Sequence, residues 1–238
     1  DTTAVLVSLL GKAFDTIEVF SSYNDSGLTT IDNCTVNPFI KVSSSLDTSV
    51  LGTYFIDYSI TDNTQNRTEL RRSVTVVDIT APIIDSINGK YTVVIEVFDK
   101  YTELGINYSD QYYSSSMLKV NINGQVNTSA TGDYLLTYTV RDSSGNISEP
   151  AKRLVKVVDT QKPVIGLIGG DTVEIDVFEK YYDWGLKSVD NYTRTSQLKT
   201  EIKGSFVKKF GLNKPVDKLG FFEYRYLVSA ESGNMESI

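Results

Sequence analysis

Histidine is absent from the 238 residues, and cysteine occurs once, at Cys34. These absences remove the imidazole base, the Cys-His and Ser-His pairs, and a His/Cys zinc cluster. A single cysteine also excludes an intrachain disulfide, so apolar packing must hold the fold. A hydrophobic content of 40% makes that feasible. No apolar run approaches the ~20 residues that span a bilayer, so no membrane insertion by this segment is expected. Asp1-Thr2-Thr3 is polar and acidic, unlike a signal peptide, and starts at a repeat boundary, which reads as a mature form or a fragment. Positive charge is short as well: 23 basic against 30 acidic residues leave a net charge of -7. Without a concentrated cationic face, neither nucleic acid nor an anionic membrane surface is an expected partner.

What the chain does have is a repeat. Gly132–Asn146 (GDYLLTYTVRDSSGN) has an earlier copy at Gly52–Asn66 (GTYFIDYSITDNTQN) and a later one at Gly220–Asn234 (GFFEYRYLVSAESGN). Every second residue is large and apolar or aromatic: Tyr54, Ile56, Tyr58, Ile60; Tyr134, Leu136, Tyr138, Val140; Phe222, Tyr224, Tyr226, Val228. A period of two puts one strand face into a core. Aligned on this strand, the chain divides into modules at 1–77, 78–158 and 159–238. Each opens on an Asp-led linker and an apolar strand, with Pro82 and Pro163 at the strand start, where a missing N–H is tolerated. A bend follows that shares Gly27, Gly105 and Gly185, then an Asp-Asn or Asp-Gln loop and an alternating strand.

About seven short strands per module, with turn signals between them and no sustained helical period, form the pattern of an antiparallel immunoglobulin-type sandwich. The expected architecture is all-β: three tandem Ig-like domains. Tyr54 and Tyr134 occupy the tyrosine-corner place, whereas Phe222 has no hydroxyl to donate. The third module carries an insertion of about eight residues near 207–214 by repeat alignment. Its last strand is expected to be missing from this chain, lying beyond Ile238 or supplied by another chain. Three such modules with stiffened linkers would make a rod of ~100–130 Å.

With the repeat laid out, the chain resembles a known family. The shared order is Asp-x-x-x-Pro-[Val/Ile]-Ile, then Val-Phe-x-x-Tyr-x-[Asp/Glu]-x-Gly, an Asp-Asn loop, and Gly-x-Tyr-x-x-x-Tyr-x-x-x-Asp-x-x-Gly-Asn before a strand closing on Val-Val-Asp. It is similar to bacterial Ig-like tandem repeats grouped with the C-terminal Ig-like module of some insecticidal crystal toxins, and more distantly to hyalin repeats. The second module is closest; the first has Val5 for the opening proline, and the third has Ala230 for the turn aspartate. The resemblance implies an extracellular, tandem arrangement on a bacterial surface and carries over no catalytic residues.

The candidate sites are few. Glu174 and Asp176 alternate on one strand, and Asp183 lies between Tyr182 and Trp184, so no pair of carboxylates suggests glycosidase chemistry. Ca²⁺ at the domain junctions would draw on Asp78, Asp159 and the turn residues Asp62, Asn66, Asp142 and Asn146. Turn chemistry explains the same turn residues without a metal, so no cofactor is expected. Tyr182 with Trp184, and the pair Tyr112-Tyr113, could stack on a sugar; Tyr181 aligns with Tyr23 and Tyr101 as a core position. Asn24, Asn33, Asn66, Asn107, Asn127, Asn146 and Asn191 each begin Asn-x-Ser/Thr, making them glycan acceptors only in a eukaryotic secretory pathway.

The function expected is a non-enzymatic extracellular stalk or adhesion segment, with neighbouring Ig-like domains of the same polypeptide and an unidentified surface protein or glycan as partners. The alternatives are a carbohydrate-binding surface module, or a structural subunit of a surface filament or virion completed by strand donation.

Overall fold

The computed structural model describes residues 2–209 and 215–238 and is built almost wholly of β-strands. The chain folds into two compact units. One holds Asp1–Asn88, Gly105–Ile122 and Tyr138–Ala151; the other holds Gly89–Leu104, Asn123–Thr137 and Lys152–Ile238.

The first repeat has strands β1 (Leu6–Leu9), β2 (Phe14–Glu18), β3 (Leu28–Ile31), β4 (Phe39–Ser44), β5 (Gly52–Thr61) and β6 (Arg67–Val77). That is six strands where the turn signals suggested seven. β1 pairs with β3, and the remaining four form a sheet of order β2-β6-β5-β4. Ile56, Tyr58 and Ile60 of β5 and Val74 of β6 are buried against Val7, Leu9 and Leu28 of the smaller sheet. Each such aliphatic is worth roughly 1.5–3 kcal/mol when fully buried, so this alternating face is the main source of stability.

The antiparallel reading needs one amendment: β2 pairs with β6 in parallel, from Phe14 opposite Ser73 to Glu18 opposite Val77. Gly11, with φ +76°, lies in the bend at which the chain leaves one sheet for the other. Having crossed, it runs in the same direction as the last strand.

The second repeat follows the same plan with β7 (Ile83–Ile87), β8 (Thr92–Glu96), β9 (Ile106–Ser109), β10 (Lys119–Asn123), β11 (Gly132–Arg141) and β12 (Ala151–Val158). β7 pairs with β9, and the larger sheet has the order β10-β11-β12-β8 with β8 and β12 parallel.

The third repeat has β13 (Val164–Leu167), β14 (Leu186–Val189), β15 (Lys199–Gly204), β16 (Tyr224–Ser229) and β17 (Met235–Ser237), with a short helix α1 (Ser205–Lys209) after β15. Its last strand, expected to be missing, is present as the three residues of β17, which pair with Leu227–Ser229. Residues 172–176, which correspond to β2 and β8, form no strand. The insertion near 207–214 begins within α1, and its residues 210–214 lie outside those described.

The three tyrosines on which the sandwich reading rests are buried: Tyr58 is 2% exposed, Tyr138 0% and Tyr226 3%. The corner tyrosines act as expected. The Tyr54 hydroxyl donates to the Val50 carbonyl and the Tyr134 hydroxyl to the Ala130 carbonyl, each at 2.9 Å.

Candidate functional site

The residues that recur with the most specific geometry sit where one repeat meets the next. Each of the two joints falls within a single unit. At the first, Phe20 follows β2 with a left-handed backbone, φ +64°, and its N–H donates to the Thr48 carbonyl at 2.7 Å. At the second, Phe98 follows β8 with φ +71°, and its N–H donates to the Thr128 carbonyl at 2.7 Å. A side chain in this region costs on the order of 1–3 kcal/mol and persists only where its surroundings fix it. What it gains is direction, because each ring is aimed at a tyrosine of the following repeat. Phe20 lies 6.0 Å from Tyr112 and Phe98 lies 6.1 Å from Tyr192, centroid to centroid.

Each tyrosine is set by the aspartate two residues before it. Asp110 Oδ1 accepts the N–H groups of Tyr112 and Tyr113 at 2.9 and 2.8 Å, and Asp190 Oδ1 those of Tyr192 and Thr193 at 3.0 and 2.6 Å. The tyrosine hydroxyl then reaches back to the preceding repeat. Leu51 N–H donates to Tyr112 Oη at 3.4 Å, and Thr131 N–H to Tyr192 Oη at 3.2 Å.

A carboxylate holds the linker itself. Glu18 accepts Ile79 N–H at 2.9 Å and the Thr80 hydroxyl at 2.8 Å. Glu96 accepts Thr160 N–H at 2.9 Å and the Thr160 hydroxyl at 2.7 Å. From the other side, the amide of Asn146 donates to the Asp78 carbonyl at 3.1 Å and that of Asn234 to the Asp159 carbonyl at 2.8 Å. Asp78 is buried; desolvation raises its carboxyl above the usual range, and the charges of Asp110, Asp142 and Glu18 reinforce the shift against one Thr80 N–H.

A second recurring constellation lies inside the repeats. Arg72, 1% exposed, places its Nε 2.8 Å from Asp25 Oδ1 and donates to the carbonyls of Leu10 at 2.6 Å, Gly27 at 3.0 Å and Lys12. Asp25 also accepts the Tyr58 hydroxyl. In the second repeat Arg153, likewise 1% exposed, donates to Glu103 at 2.6 Å, and Glu103 accepts the Tyr101 hydroxyl at 2.5 Å. A guanidinium withdrawn from water needs both a counter-charge and several acceptors, and these pockets provide both.

The residues singled out from sequence fare differently. Tyr112 and Tyr113 are not a sugar platform: Tyr112 is part of a joint, and Tyr113 is buried with its hydroxyl 2.8 Å from Ser144 Oγ. Tyr182 and Trp184 are 63% and 71% exposed, as a platform requires. Tyr23, Tyr101 and Tyr181 are half-buried, and the Tyr101 hydroxyl meets an acid, so the position is polar at its tip. Among the sequons, Asn24, Asn33, Asn107, Asn127 and Asn191 are exposed. Asn66 and Asn146 are half-buried, with their amides donating to Asp62 and Asp142 at 2.7 and 2.8 Å.

Among the described residues, no group of three or more His, Cys, Asp or Glu side chains is placed to hold a metal ion. Of the four acids named for calcium, three accept backbone donors, while, among the described residues, one carboxylate oxygen of Asp78 and one of Asp159 are buried without a hydrogen-bond partner. Asp62 accepts Thr64 and Asn66 N–H at 2.8 Å each, Asp142 accepts Gly145 and Asn146 N–H at 2.6 and 2.8 Å, and Asp78 accepts Thr80 N–H at 3.2 Å. Where Ala230 replaces the turn aspartate, Ser232 bonds Asp159 at 2.6 Å and so ties the turn to the linker. Also among the described residues, no helix is long and apolar enough to cross a membrane.

The family model described as "Bacterial surface protein, Ig-like domain" matches residues 7–76 and 86–157. An "Uncharacterized 81.3 kDa protein" of Acholeplasma phage L2 is 29% identical over 131 residues, which are 53% of this chain and 17% of that relative's length. Among solved structures, Drosophila N-cadherin EC1-3 aligns over 97% of this chain and 96% of its own, at 11% identity and a TM-score of 0.38. The fibronectin(III)-like modules of Clostridium thermocellum CbhA align over 64% of this chain and 93% of theirs, at 15% identity and a TM-score of 0.30.

Proposed function

Because the chain belongs to the family of bacterial surface proteins with Ig-like domains, we propose that it is a non-enzymatic stalk or adhesion segment, displayed outside the cell. Its domains are 1–77, 78–158 and 159–238, and the finer kinship is with the Ig-like module of insecticidal crystal toxins and with hyalin repeats. The observation that carries the reading is the twice-repeated joint: a Phe-Tyr contact, a tyrosine hydroxyl reaching back, and a glutamate gripping the linker. An element whose task is to hold a distance needs its joints fixed, and these contacts do that without any catalytic group.

Stretching single molecules between the chain ends tests the mechanical part. Independent domains should give at least two separate unfolding events, each releasing roughly 250 Å of chain for ~80 residues. One indivisible event would contradict it. Antibody raised against this chain should label intact source cells; labelling only after lysis would overturn the extracellular placement.

Exposure of Tyr182 and Trp184 favours carbohydrate recognition as the mode of adhesion. Trp184 is the chain's one tryptophan, so its emission reports sugar binding directly. Saturable quenching by an oligosaccharide, lost in Tyr182→Ala, is the expected result, and emission indifferent to a broad glycan panel counts against it. The likeness to a protein of Acholeplasma phage L2 supports a structural subunit of a virion as the other reading.

A further inference from the structure

The outer edge of the first repeat's larger sheet is built differently from its two counterparts. β4, β10 and β15 are each the edge strand of their sheet. Aligned repeat for repeat, Phe39 stands where the other two strands begin with a lysine, Lys119 and Lys199. A lysine at this place opposes pairing with a further strand, because its charge must then be faced or buried. The other two edges also close at a glycine, Gly124 and Gly204, where a Cβ would lie 2.2 and 2.4 Å from a carbonyl oxygen of the adjoining segment. So close an approach of backbone marks the end of a regular edge. β4 has Ser44 at that position, and Phe39 is 71% exposed.

The register shows what β4 presents. Pairing with β5 runs from Phe39 opposite Thr61 to Ser44 opposite Ile56, and Ser45 N–H donates to the Phe55 carbonyl at 3.1 Å. Bonded residues alternate in an antiparallel ladder, so Ile40, Val42 and Ser44 turn their N–H and C=O groups to the open side. The same three residues stand opposite Ile60, Tyr58 and Ile56, all of them buried. Their side chains therefore lie on the core face, yet Ile40 is 42% exposed and Val42 52%. The cause is width: the sheet β1-β3 has two strands against the four of its neighbour. Apolar side chains and open backbone groups thus share one strip, and an added strand satisfies both.

We propose that β4 is a self-association edge, pairing antiparallel with β4 of a second copy of this chain about a two-fold axis at Val42. In that register Val42 meets the partner's Val42, Ile40 meets the partner's Ser44, and Lys41 meets the partner's Ser43. Of the two neighbouring registers, one sets Lys41 against Lys41 and the other carries Ile40 past the end of the paired strand. Charge selects the same arrangement. On the outer face the row runs from the partner's Lys41 through Ser43 to Asp57 and Arg71, so the ammonium meets a short side chain with a carboxylate beyond it. One pair of six-residue strands falls well short of the ~1,600 Å² of a standard interface. The pairing is therefore weak between single molecules and gains where many copies are displayed together. It holds whether the chain serves as a stalk or as a virion subunit, so its failure would leave either reading in place.

Sedimentation velocity of the 238-residue chain, over a concentration series reaching ~1 mM, tests the pairing. The expected result is a shift from monomer to dimer. Ser43→Lys sets a lysine against the partner's Lys41 on both sides of the axis and should weaken dimerisation about tenfold. Ser43→Glu sets opposite charges there and should strengthen it. Within one chain Ser43 lies opposite Asp57, so an effect on folding alone would run the other way. Amide hydrogen exchange supplies the second readout: the N–H groups of Ile40, Val42 and Ser44 should be protected in the dimer and open in the monomer. A chain that stays monomeric throughout the series overturns the proposal. A dimer that both Ser43 variants leave unmoved assigns the association to another face and overturns it as well. Protection of these amides in the monomer would show that the chain itself covers the edge, with the same consequence.

Discussion

The rings of Phe20 and Tyr112 meet with centroids 6.0 Å apart and planes inclined at 49°, and Tyr112 Oη accepts the N–H of Leu51 from the same neighbouring repeat. One side chain thus makes an aromatic and a polar contact across the joint. Tyr112→Ala removes both, at a cost of about 1–2 kcal/mol for the pair of contacts. The expected result is faster proteolysis between Asp78 and Pro82, with the folded cores unaltered by circular dichroism. Tyr112→Phe, which keeps the ring, should fall between the two.

The left-handed backbone at Phe20 separates strain from contact. Phe20→Ala loses the ring and keeps a Cβ at φ +64°, whereas Phe20→Gly loses the ring and releases the strain. Glycine should therefore be the milder change, by about 1 kcal/mol in chemical denaturation. An alanine variant at least as stable as the glycine variant would show that the backbone at this position is unstrained.

The sandwich cores were legible in the sequence because alternation has a single physical meaning: Tyr58, Tyr138 and Tyr226 read as interior, and they are. The corner hydroxyls of Tyr54 and Tyr134 were legible for the same reason, since a glycine two residues earlier fixes their place. The joints were not. Glu18-Val19-Phe20 and Glu96-Val97-Phe98 look like ordinary strand ends, and only the structure shows an exposed phenylalanine turned by a positive φ toward the next repeat. Arg72 and Arg153 were missed because charged residues in a strand are normally assigned to its solvent face. The available signal was Arg-x-Val-x-Val at one position in two repeats, which puts arginine in phase with buried valines.

Arg72 supports the first repeat by compensating a carboxylate that the fold has partly buried. Arg72→Leu leaves Asp25, with a side chain 26% exposed, without its cation, and should destabilise the repeat by about 3 kcal/mol. Adding Asp25→Leu to that variant should restore much of the loss, because the uncompensated charge is then gone. Urea denaturation followed through the first repeat measures both. If the double variant is no more stable than Arg72→Leu, the carbonyl contacts to Leu10, Lys12 and Gly27 matter more than the ion pair.

In the third repeat Phe222 occupies the corner position held elsewhere by Tyr54 and Tyr134. Phe222→Tyr places a hydroxyl where the other two bond a carbonyl four residues upstream, here that of Lys218. One net hydrogen bond is worth about 1 kcal/mol, so the substitution should raise the unfolding midpoint of this repeat. An unchanged midpoint would mean that the corner backbone of the third repeat differs from the other two.

Asp78 gives the first joint a pH dependence of definite sign. Burial first, then the charges of Asp110, Asp142 and Glu18, raise its folded pKa above the unfolded value. A carboxyl so shifted binds its proton more tightly in the folded state, so between the two pKa values the folded chain carries more protons than the unfolded one. Stability therefore falls as pH rises through that window and stays lower at neutral pH. Asp78→Asn keeps an oxygen for Thr80 N–H and removes the charge, so it should stabilise the chain near pH 7. Its advantage should shrink toward zero below the carboxylate range, where the native aspartate is itself neutral. Melting temperatures of the two proteins from pH 3 to pH 7 supply the measurement. An advantage independent of pH would show that the asparagine acts through packing, and one that grows on acidification would reverse the sign assigned to Asp78.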